Sequence, residues 1–436
     1  MKANRCLITA VLVVVLGAMA GAQETVRIES QQGIDPRHRI AVPPCAALDA
    51  ALEPLARNLA EVLAADLAFS GLFRIVPETE YPMGFLGLTP DVAQLEMDAW
   101  RATQAEYIVY GNVREESDQY VAQFRLFDLF SKDQVVGQEV RVERKHPRLA
   151  AHRFSEEIIR YLDGVPGIGT SEICFSAGKT GRKEIFVADY DGANAKQVTH
   201  HDSISIKPKI SPDGNGIAYL SYKDRYSFLY IYDRRTGKST PLSKEVGLNS
   251  APAWAPDGKR LAMTLSKDGN TEIYLRDPDG GNPERLTKNK CGDTSPTFSP
   301  DGSRIAFVSD RGGNPQIYVM ARDGSSQQRL SHQGGSSYDP AWSPDGKHIA
   351  YVVERRGEGL EVYVMDAEGG NPRRLTNSHG TNESPSWSAD SRHVIYMSTR
   401  TGRSELWTVV LETGEEQRVP GLNMACEGPS WGPRRR

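Results

Sequence analysis

The chain has 436 residues, which is enough for two or three domains, and a formal net charge of −4. A mildly acidic chain without a basic stripe is a poor nucleic-acid binder, so that function class is excluded. The one run of basic residues, Arg434-Arg435-Arg436, is interpreted as a solvated tail.

Residues 1–22 predict a secretory signal peptide. Its three parts are a charged start at Lys2 and Arg5, an apolar run from Leu7 to Leu16, and an A-x-A cleavage site at Ala20-Gly21-Ala22. The apolar run is too short to span a membrane, and no cysteine follows it directly as a lipoprotein signal requires. We therefore expect an exported protein that starts at Gln23 and has no membrane span.

Residues 23–162 alternate between strand and helix signals, which predicts a small mixed α/β domain. Strands are predicted at residues 39–42, 72–76, 107–111, 120–128 and 135–142. The first predicted helix has leucines at helical spacing between Leu52 and Leu67. Pro54 suits its first turn, and Ser70-Gly71 supplies its C-terminal stop.

Two more helices and a linker complete this part of the chain. Thr89-Pro90 supplies an N-cap and a proline at the first position of the second helix. The apolar face of that helix is formed by Val92, Leu95 and Ala99. The third helix runs from about residue 149 to 162, and the glycines and proline of residues 163–170 mark a domain linker.

The rest of the chain, residues 171–436, is built on one repeated pattern. The sequence P-x-aromatic-S-P-D-G, as in Pro296 to Gly302, recurs with small variations. Its first prolines are 44, 44, 44, 45 and 44 residues apart, at Pro208, Pro252, Pro296, Pro340, Pro385 and Pro429. A fixed period of this length predicts the four-stranded blades of a β-propeller, here with six blades. The Trp or Phe of each inner strand is expected to pack between adjacent blades.

The first and last repeats are incomplete in a complementary way. The strand that contains Ile173 has no P-x-W strand before it, and Pro429-Ser430-Trp431 has no strands after it. We therefore predict that residues 424–431 form the inner strand of the first blade and close the ring, which removes both sheet edges.

Four cysteines remain after removal of the signal peptide: Cys45, Cys174, Cys291 and Cys426. An exported protein can form disulfides, but the repeat register argues against them here. Pairing Trp431 with Ile173 would place Cys426 opposite Gly178, which is roughly 13 Å of strand from Cys174. We expect free, mostly buried thiols.

Catalytic and metal-binding signatures are missing from the sequence. No G-x-S-x-G pentapeptide occurs, and the S-P-D-G turn is one residue shorter than the sialidase-type turn. His200-His201-Asp202 and Asp189-Tyr190-Asp191-Gly192 are interpreted as a loop and a turn, because each lacks the other ligands of a zinc or calcium site. We predict a protein that is not an enzyme and has no cofactor or metal.

The combination of leader, α/β domain and self-closed propeller resembles the TolB family, periplasmic components of the Tol–Pal system of Gram-negative bacteria. The segments that carry the resemblance outside the repeats are Val26-Arg27-Ile28, Gly33-Ile34-Asp35, Ile40 to Pro44, Ala65-Asp66-Leu67 and Ser70 to Phe73. The chain departs from the family pattern at Ser388-Ala389-Asp390-Ser391, at Gly432-Pro433 and at Cys45.

The resemblance implies a non-catalytic, monomeric periplasmic protein with two protein partners. Such proteins bind the outer-membrane lipoprotein Pal through the propeller and TolA through the mature N-terminal segment, and their system keeps the outer membrane attached during cell division. The alternative is an exported propeller hydrolase or glycan-binding protein that uses the central channel.

Two sets of residues are predicted to contact these partners. The Pal-like partner is expected at the channel mouth, on Ser250, Ala251, Thr294, Ser295, Asp339, Glu383, Ser384 and Glu427, and on the longer loops with Arg225 and Arg311. The TolA-like partner is expected on Gln23, Glu24, Val26, Ile28 and Gln32. The alternation of Val26 and Ile28 suits addition to a partner's sheet, or an edge strand of the chain's own domain.

Overall fold

The structure, a computed structural model, describes residues 35–435 apart from 84, 86, 90, 92, 94 and 180. The predicted signal peptide and the predicted TolA-binding segment lie outside the described residues. No helix within the described residues is long and apolar enough to cross a membrane.

The N-terminal part is a mixed sheet with helices packed against it. Its strands are β1 (His38–Ala41), β2 (Ala46–Ala47), β3 (Phe73–Ile75), β4 (Tyr107–Glu116), β5 (Gln119–Asp128) and β6 (Gln134–Glu143). Its helices are α1 (Glu53–Phe69), α2 (Met97–Arg101) and α3 (Arg148–Asp163), with short 3-10 turns at Ala50–Leu52 and Glu78–Glu80. The strand order is β3-β1-β4-β5-β6, with β2 beside β4.

The core of this part lies between the sheet and the helices α1 and α3. Leu59 and Leu63 of α1 and Ile158 of α3 are at most 1% exposed and belong to one apolar cluster with the sheet. Phe124 of β5 stacks on Phe154 of α3 with ring centroids 5.0 Å apart. The apolar positions at helical spacing in the sequence therefore form the buried face of each helix.

The predicted helix that opens at Thr89-Pro90 was wrong in its extent. Among the described residues of this segment, the α-helix begins only at Met97 and ends at Arg101, and Ala93 lies in a 3-10 turn. The Thr89 hydroxyl donates to the carbonyl of Asp91, and the Asp91 side chain accepts from the amide of Ala93. These local side-chain bonds compete with helix formation. Val92 lies outside the described residues.

Six four-stranded sheets follow, which confirms the predicted six-bladed propeller. From the channel outward, blades 1 to 3 are β30 (Cys426–Arg434), β7 (Ser171–Lys179), β8 (Arg182–Asp189) and β9 (Lys196–Gln197); β10 (Ser205–Ile210), β11 (Gly216–Ser221), β12 (Phe228–Asp233) and β13 (Lys238–Ser243); and β14 (Asn249–Trp254), β15 (Leu261–Leu265), β16 (Glu272–Arg276) and β17 (Glu284–Arg285). Blades 4 to 6 are β18 (Asp293–Phe298), β19 (Arg304–Ser309), β20 (Gln316–Ala321) and β21 (Gln328–Arg329); β22 (Ser336–Trp342), β23 (His348–Arg355), β24 (Gly359–Asp366) and β25 (Arg373–Arg374); and β26 (Asn382–Trp387), β27 (His393–Ser398), β28 (Glu405–Val410) and β29 (Glu416–Arg418).

The S-P-D-G turn is stabilised by its own side chains. In blade 4 the Ser299 hydroxyl donates to the Asp301 carboxylate over 2.6 Å, and the same carboxylate accepts from the amide of Ser303. These bonds to the charged form, first that of Ser299, lower the pKa of Asp301 to about 2. Gly302 has a φ of 70°, where a side chain would be strained. The repeat therefore encodes the turn between the first and second strands of a blade.

The aromatic residue of the inner strand joins neighbouring blades. Trp254 of blade 3 donates its indole N–H to the carbonyl of Lys209 in blade 2, and Trp387 of blade 6 donates to Ala341 in blade 5. In blade 1 the link to the neighbouring blade is made by the backbone, because Trp431 donates its backbone N–H to the Ser386 hydroxyl of blade 6 and its indole N–H to Ser171 of its own blade. The indole bonds satisfy the one polar atom of each of these large rings.

The ring is closed by β30 and β7 as predicted, with Trp431 opposite Ile173. The predicted position of Cys426 was wrong by one residue. It lies opposite Ala177 rather than Gly178, because a bulge between Glu427 and Ser430 shifts the register.

The C-terminal basic run was also misinterpreted as a solvated tail. Arg434 donates to the carbonyls of Pro166 and Gly167, and Arg435 pairs with Glu172 and Asp189. The described part of the run therefore holds the closing strand against the segment before β7. Arg436 lies outside the described residues.

The four described cysteines are free, as the repeat register predicted. Cys45, Cys174 and Cys426 are buried, and burial raises the pKa of each of these thiols to about 12. Cys291 is partly exposed. Thiols held in this protonated form are poor nucleophiles, which fits a packing role.

A buried carboxylate joins the α/β part to blade 1. Asp66 of α1 accepts from His152 (2.8 Å) and Ser155 (2.6 Å) of α3 through one oxygen, and from the Tyr190 hydroxyl (2.6 Å) through the other. Tyr190 follows β8, and the neighbouring Asp191 pairs with Arg148 of α3. Three donors on one buried carboxylate fix the two helices and the blade in one arrangement.

The family departure at Ser388-Ala389-Asp390-Ser391 lies at this same junction. Ser391 replaces the glycine of the turn with a φ of 60°, and its hydroxyl accepts from the amide of Asp345 in blade 5. His393, two residues further, donates to the carbonyl of Phe69 over 2.8 Å and stacks on its ring at 4.4 Å. The turn of blade 6 is thus adapted to the docking of α1.

Deletion of residues 424–436 is expected to destabilise the propeller strongly, because it exposes the edge of β7 and the apolar cluster around Ile173 and Trp431. The measurement is the thermal unfolding of the truncated and the full-length mature chain, followed by circular dichroism. An unchanged melting temperature would show that closure by β30 does not hold the ring.

The stability of the domain junction is expected to depend on pH through His152. Burial disfavours the charged ring, but the Asp66 carboxylate more than offsets this, so the pKa of His152 is raised; Arg148 and Asp191 also face it. A raised folded-state pKa contributes stability below the ordinary histidine pKa of about 6.5, and this contribution is lost as the pH rises through the folded-state value.

The free energy of unfolding of wild type should therefore exceed that of His152→Gln most at acidic pH, and the difference should shrink at alkaline pH. His146→Gln, at an exposed histidine just before α3, serves as the control and should leave the pH profile unchanged. A difference between wild type and His152→Gln that is constant with pH would contradict this role of the Asp66–His152 pair.

Candidate functional site

The residue before each repeat proline has the same unusual backbone. These six residues have φ values from 46° to 57°, and they are Lys207, Ala251, Ser295, Asp339, Ser384 and Gly428. Each lies at a register shift in its inner strand. In blade 3, for example, two residues between Ser250 and Ala253 oppose one residue of β15, which is the count of a β-bulge.

The repeat proline explains why the bulge occurs there. Proline has no N–H to donate to a ladder, so it is tolerated in a strand interior at a bulge, where pairing is already interrupted. The bulge then turns the preceding residue toward the channel axis. Six such residues at the start of the inner strands form a ring, and we call the propeller face that carries this ring the mouth face. The opposite face, with the S-P-D-G turns, is the turn face.

The inner strands enclose a central channel with a cavity volume of about 470 Å³. The residue after each repeat proline lines it, and this set is Lys209, Ala253, Thr297, Ala341, Ser386 and Ser430. Five of the six are small, so Lys209 is the one long side chain in this ring. Asp339 is the one carboxylate among the described residues that line the channel.

Charge is distributed unevenly around the mouth. Lys207 and Lys209 belong to blade 2, whereas Asp339, Glu383 and Glu427 belong to blades 5, 6 and 1. Burial lowers the pKa of Lys209, although Asp339 opposes that shift. Burial, followed by the Asp339 charge, raises the pKa of Glu383. A ligand at the mouth therefore meets a positive side and a negative side.

The predicted mouth residues from Ser250 to Glu427 do lie together in the structure. Ala251, Ser295, Asp339 and Ser384 line the channel itself, and the Ser295 hydroxyl lies 3.5 Å from the Asp339 carboxylate. The other members, Ser250, Thr294, Glu383 and Glu427, each directly precede a bulge residue, namely Ala251, Ser295, Ser384 and Gly428. Glu427 is paired with Lys183 of blade 1.

The two predicted arginines differ in their surroundings. Arg225 is exposed and has a φ of 72°, and it has no ion pair or hydrogen bond from its guanidinium among the described residues. Arg311 instead pairs with the fully buried Asp293 (2.9 Å) and lies over the rings of Phe307 and Tyr318. Its contacts hold the loop of blade 4 in place, so it has less freedom to bind a partner.

The stacking of Arg311 is itself part of the repeat, which the sequence prediction missed. A cation lies over an aromatic ring of the third strand in five blades, in the pairs Lys223–Tyr230, Lys267–Tyr274, Arg311–Tyr318, Arg355–Tyr363 and Arg400–Trp407. The 44- or 45-residue spacing of these cations, visible in the sequence, could have marked them as structural.

The described residues of the α/β part contact the propeller on its turn face. Its contacts through His393 and Asp191 are to the turns that follow β26 and β8. Among the described residues, no group of three or more His, Cys, Asp or Glu side chains could hold a metal ion. The site is thus a rigid, channelled ring face that suits the binding of another macromolecule.

The fold and its open mouth face define a two-part protein: an α/β domain docked on a self-closed six-bladed propeller. Two family models match the chain, the TolB amino-terminal domain over residues 26–135 and the TolB beta propeller domain over residues 160–435. The second match alone covers more than half of the sequence. The chain belongs to the TolB family.

Individual relatives agree with this assignment. The Tol-Pal system protein TolB of Methylobacillus flagellatus is 34% identical over 195 residues, which are 44% of this chain and 44% of that protein. The corresponding protein of Desulfosudis oleivorans is 36% identical over 198 residues, 45% of this chain and 44% of that protein. The chain thus spans about half the length of the curated relatives it matches.

The similarity to a solved structure extends further. The crystal structure of TolB from Acinetobacter baumannii matches with a TM-score of 0.80 and 28% identity, and it covers 91% of this chain and 97% of that one. The resemblance inferred from the repeat and the N-terminal segments is therefore confirmed at the level of family and fold.

Proposed function

We propose that this chain is a non-catalytic periplasmic scaffold of the Tol–Pal system. It binds a Pal-like outer-membrane lipoprotein through the mouth face and a TolA-like protein through its mature N-terminal segment. By linking these two partners it supports outer-membrane integrity and constriction during cell division. Family membership and the predicted signal peptide support this proposal.

The main observation in support of this function is that the two faces of the propeller differ. The turn face is occupied by the α/β part and its turns are bound internally, as at Asp301. The mouth face combines a fixed ring of bulge residues with exposed loops of differing sequence. Varied loops on a rigid ring are the usual location of binding in propellers.

A hydrolase in the channel is disfavoured by the channel's chemistry. A glycosidase needs two carboxylates that flank the reacting bond, whereas Asp339 is alone among the described lining residues. The remaining lining is mostly proline, small side chains and the aromatic residues of the inner strands. This lining supports a role for the channel as part of a binding face.

Thr294→Arg or Ala251→Arg is expected to abolish binding of the purified soluble domain of the Pal-type lipoprotein from the same organism, because a long charged side chain would protrude into the mouth. Stability should change by no more than about 0.5 kcal/mol, since both positions are only partly buried. Isothermal titration calorimetry and thermal unfolding provide the two measurements.

Ser303→Arg places the same charge on the turn face, at an exposed position in blade 4, and should leave this binding intact. Loss of binding in Ser303→Arg with binding retained in the two mouth variants would show that the partner uses the turn face.

A variant that starts at Gly33 tests the second partner. It lacks Gln23 to Gln32, which include the alternating Val26 and Ile28 that suit addition to a partner's sheet. We expect it to lose binding of a TolA-like domain and to bind the Pal-like domain as the full mature chain does. Retained TolA binding would contradict a role for this segment.

A further inference from the structure

Large apolar side chains are exposed at one place on the propeller. Among the described residues from 171 to 435, the exposed large hydrophobics are Tyr222 (40%), Tyr226 (68%), Val246 (87%) and Leu248 (39%). All four lie in two loops of blade 2, residues 222–227 and 244–248, which connect β11 to β12 and β13 to β14. We call these four side chains the blade-2 patch.

The two loops lie side by side on the mouth face and are well anchored. Lys244 of one loop pairs with Asp224 of the other, and the Tyr230 hydroxyl donates to the same carboxylate over 2.6 Å. The amide of Tyr222 donates to the carbonyl of Ile204, at the start of the blade's inner strand. The patch therefore presents apolar groups from a fixed backbone, which lowers the entropy cost of binding.

The repeat shows that the scaffold does not require these side chains. Two repeats later, in blade 4, the equivalent positions are Asp310, Asn314, Gly334 and Ser336. One repeat later, in blade 3, they are Ser266, Asn270, Lys290 and Gly292. Both blades form the same four strands with polar or small residues there. Four exposed apolar side chains that folding does not need, carried by two loops that an ion pair joins, mark a candidate interaction surface.

The charge around the patch is positive. The acidic side chains of the two loops are in ion pairs, Asp224 with Lys244 and Glu245 with Arg276. Arg225 projects from the same loop as Tyr226. The inner strand of this blade adds Lys207 and Lys209 at the mouth. The acidic side of the mouth, at Asp339, Glu383 and Glu427, belongs to other blades.

We propose that blade 2 is the principal contact for the lipoprotein partner, and that this partner presents an acidic surface with at least one exposed apolar side chain. The apolar side chain packs among Tyr222, Tyr226, Val246 and Leu248, and the acidic groups face Arg225 and Lys207. This inference rests on the proposed function and specifies where on the mouth face the partner binds.

The apolar and the positively charged side chains of blade 2 contribute to binding in different ways. Exposed tyrosines that become buried supply large contact area with few rotatable bonds, so they are typical energetic centres of interfaces. The cations orient an acidic partner and speed its association, and their effect weakens as salt is added. A neutral or basic partner surface would leave Arg225 and Lys207 without compensation.

The test uses the mature chain and the soluble domain of the Pal-type lipoprotein, with dissociation constants measured by calorimetry. Tyr226→Asp and Val246→Asp should each weaken binding at least about tenfold, because an anion would then face the acidic partner. Asn314→Asp adds the same charge at the exposed, repeat-equivalent position of Tyr226 in blade 4 and should leave the dissociation constant unchanged. Thermal unfolding confirms that all variants are folded.

A second arm tests the charge. Arg225→Glu should weaken binding and reduce its salt dependence, whereas Arg356→Glu, at an exposed arginine in the corresponding loop of blade 5, should do neither. Wild-type affinity in the patch variants would overturn the inference and leave the proposed function standing. Failure of the wild-type chain to bind would overturn both.

A third arm distinguishes a protein partner from an anionic lipid surface. Vesicles that contain phosphatidylglycerol are mixed with wild type and with Tyr226→Asp, and co-sedimentation is measured. Equal, weak sedimentation of both proteins supports the inference. Strong vesicle binding that Tyr226→Asp loses, together with unchanged lipoprotein binding, would assign the patch to a lipid surface and overturn it.

Discussion

The pairing of β30 with β7 joins residues from the two ends of the propeller, and the mouth face depends on it. Without this strand, blade 1 has no inner strand, the channel has five walls, and neither Gly428 nor Glu427 reaches the mouth. The closing strand is also bound at its end, where Arg434 and Arg435 hold the segment that leads into β7. Contacts between residues this distant in sequence cost loop-closure entropy, and this closing contact needs strands from both ends of the propeller.

Two blades differ from the others at positions where they make a contact or expose a surface that the others lack. Ser391 and His393 replace the usual turn of blade 6 where Phe69 docks. The buried Asp66, bonded to Tyr190, fixes the same junction on blade 1. Blade 2 differs on the opposite face, where its loops expose Tyr226 and Val246. The six-bladed ring thus differs from its own repeat in two places. Blades 6 and 1 contact the α/β part, and blade 2 has the loops that we assign to a partner.

The sequence predicted the propeller well because its signal is periodic and its turns are local. The six repeat prolines located every inner strand, and the orphan strand at Ile173 predicted closure. The helix predicted from Thr89 was too long, because the described α-helix begins at Met97 and the side chains of Thr89 and Asp91 make local bonds before it. The internal role of Arg311 was missed although its repeat spacing marks it in the sequence, and its ion pair with the buried Asp293 became visible only in the structure. The blade-2 patch was missed because strand alternation does not tell which loop residues are covered by neighbouring loops.

We infer that the partner binds the mouth face at blade 2 while the α/β part remains on the turn face. Hydrogen–deuterium exchange of the mature chain, alone and with the soluble domain of the Pal-type lipoprotein, tests this most directly, because it reports both faces in one experiment. We predict slower exchange on binding in peptides that cover residues 222–227, 244–248 and 294–295, with no change in the turns at residues 300–303 and 344–347. Protection of those turns, with the loops of blade 2 unchanged, would contradict the account.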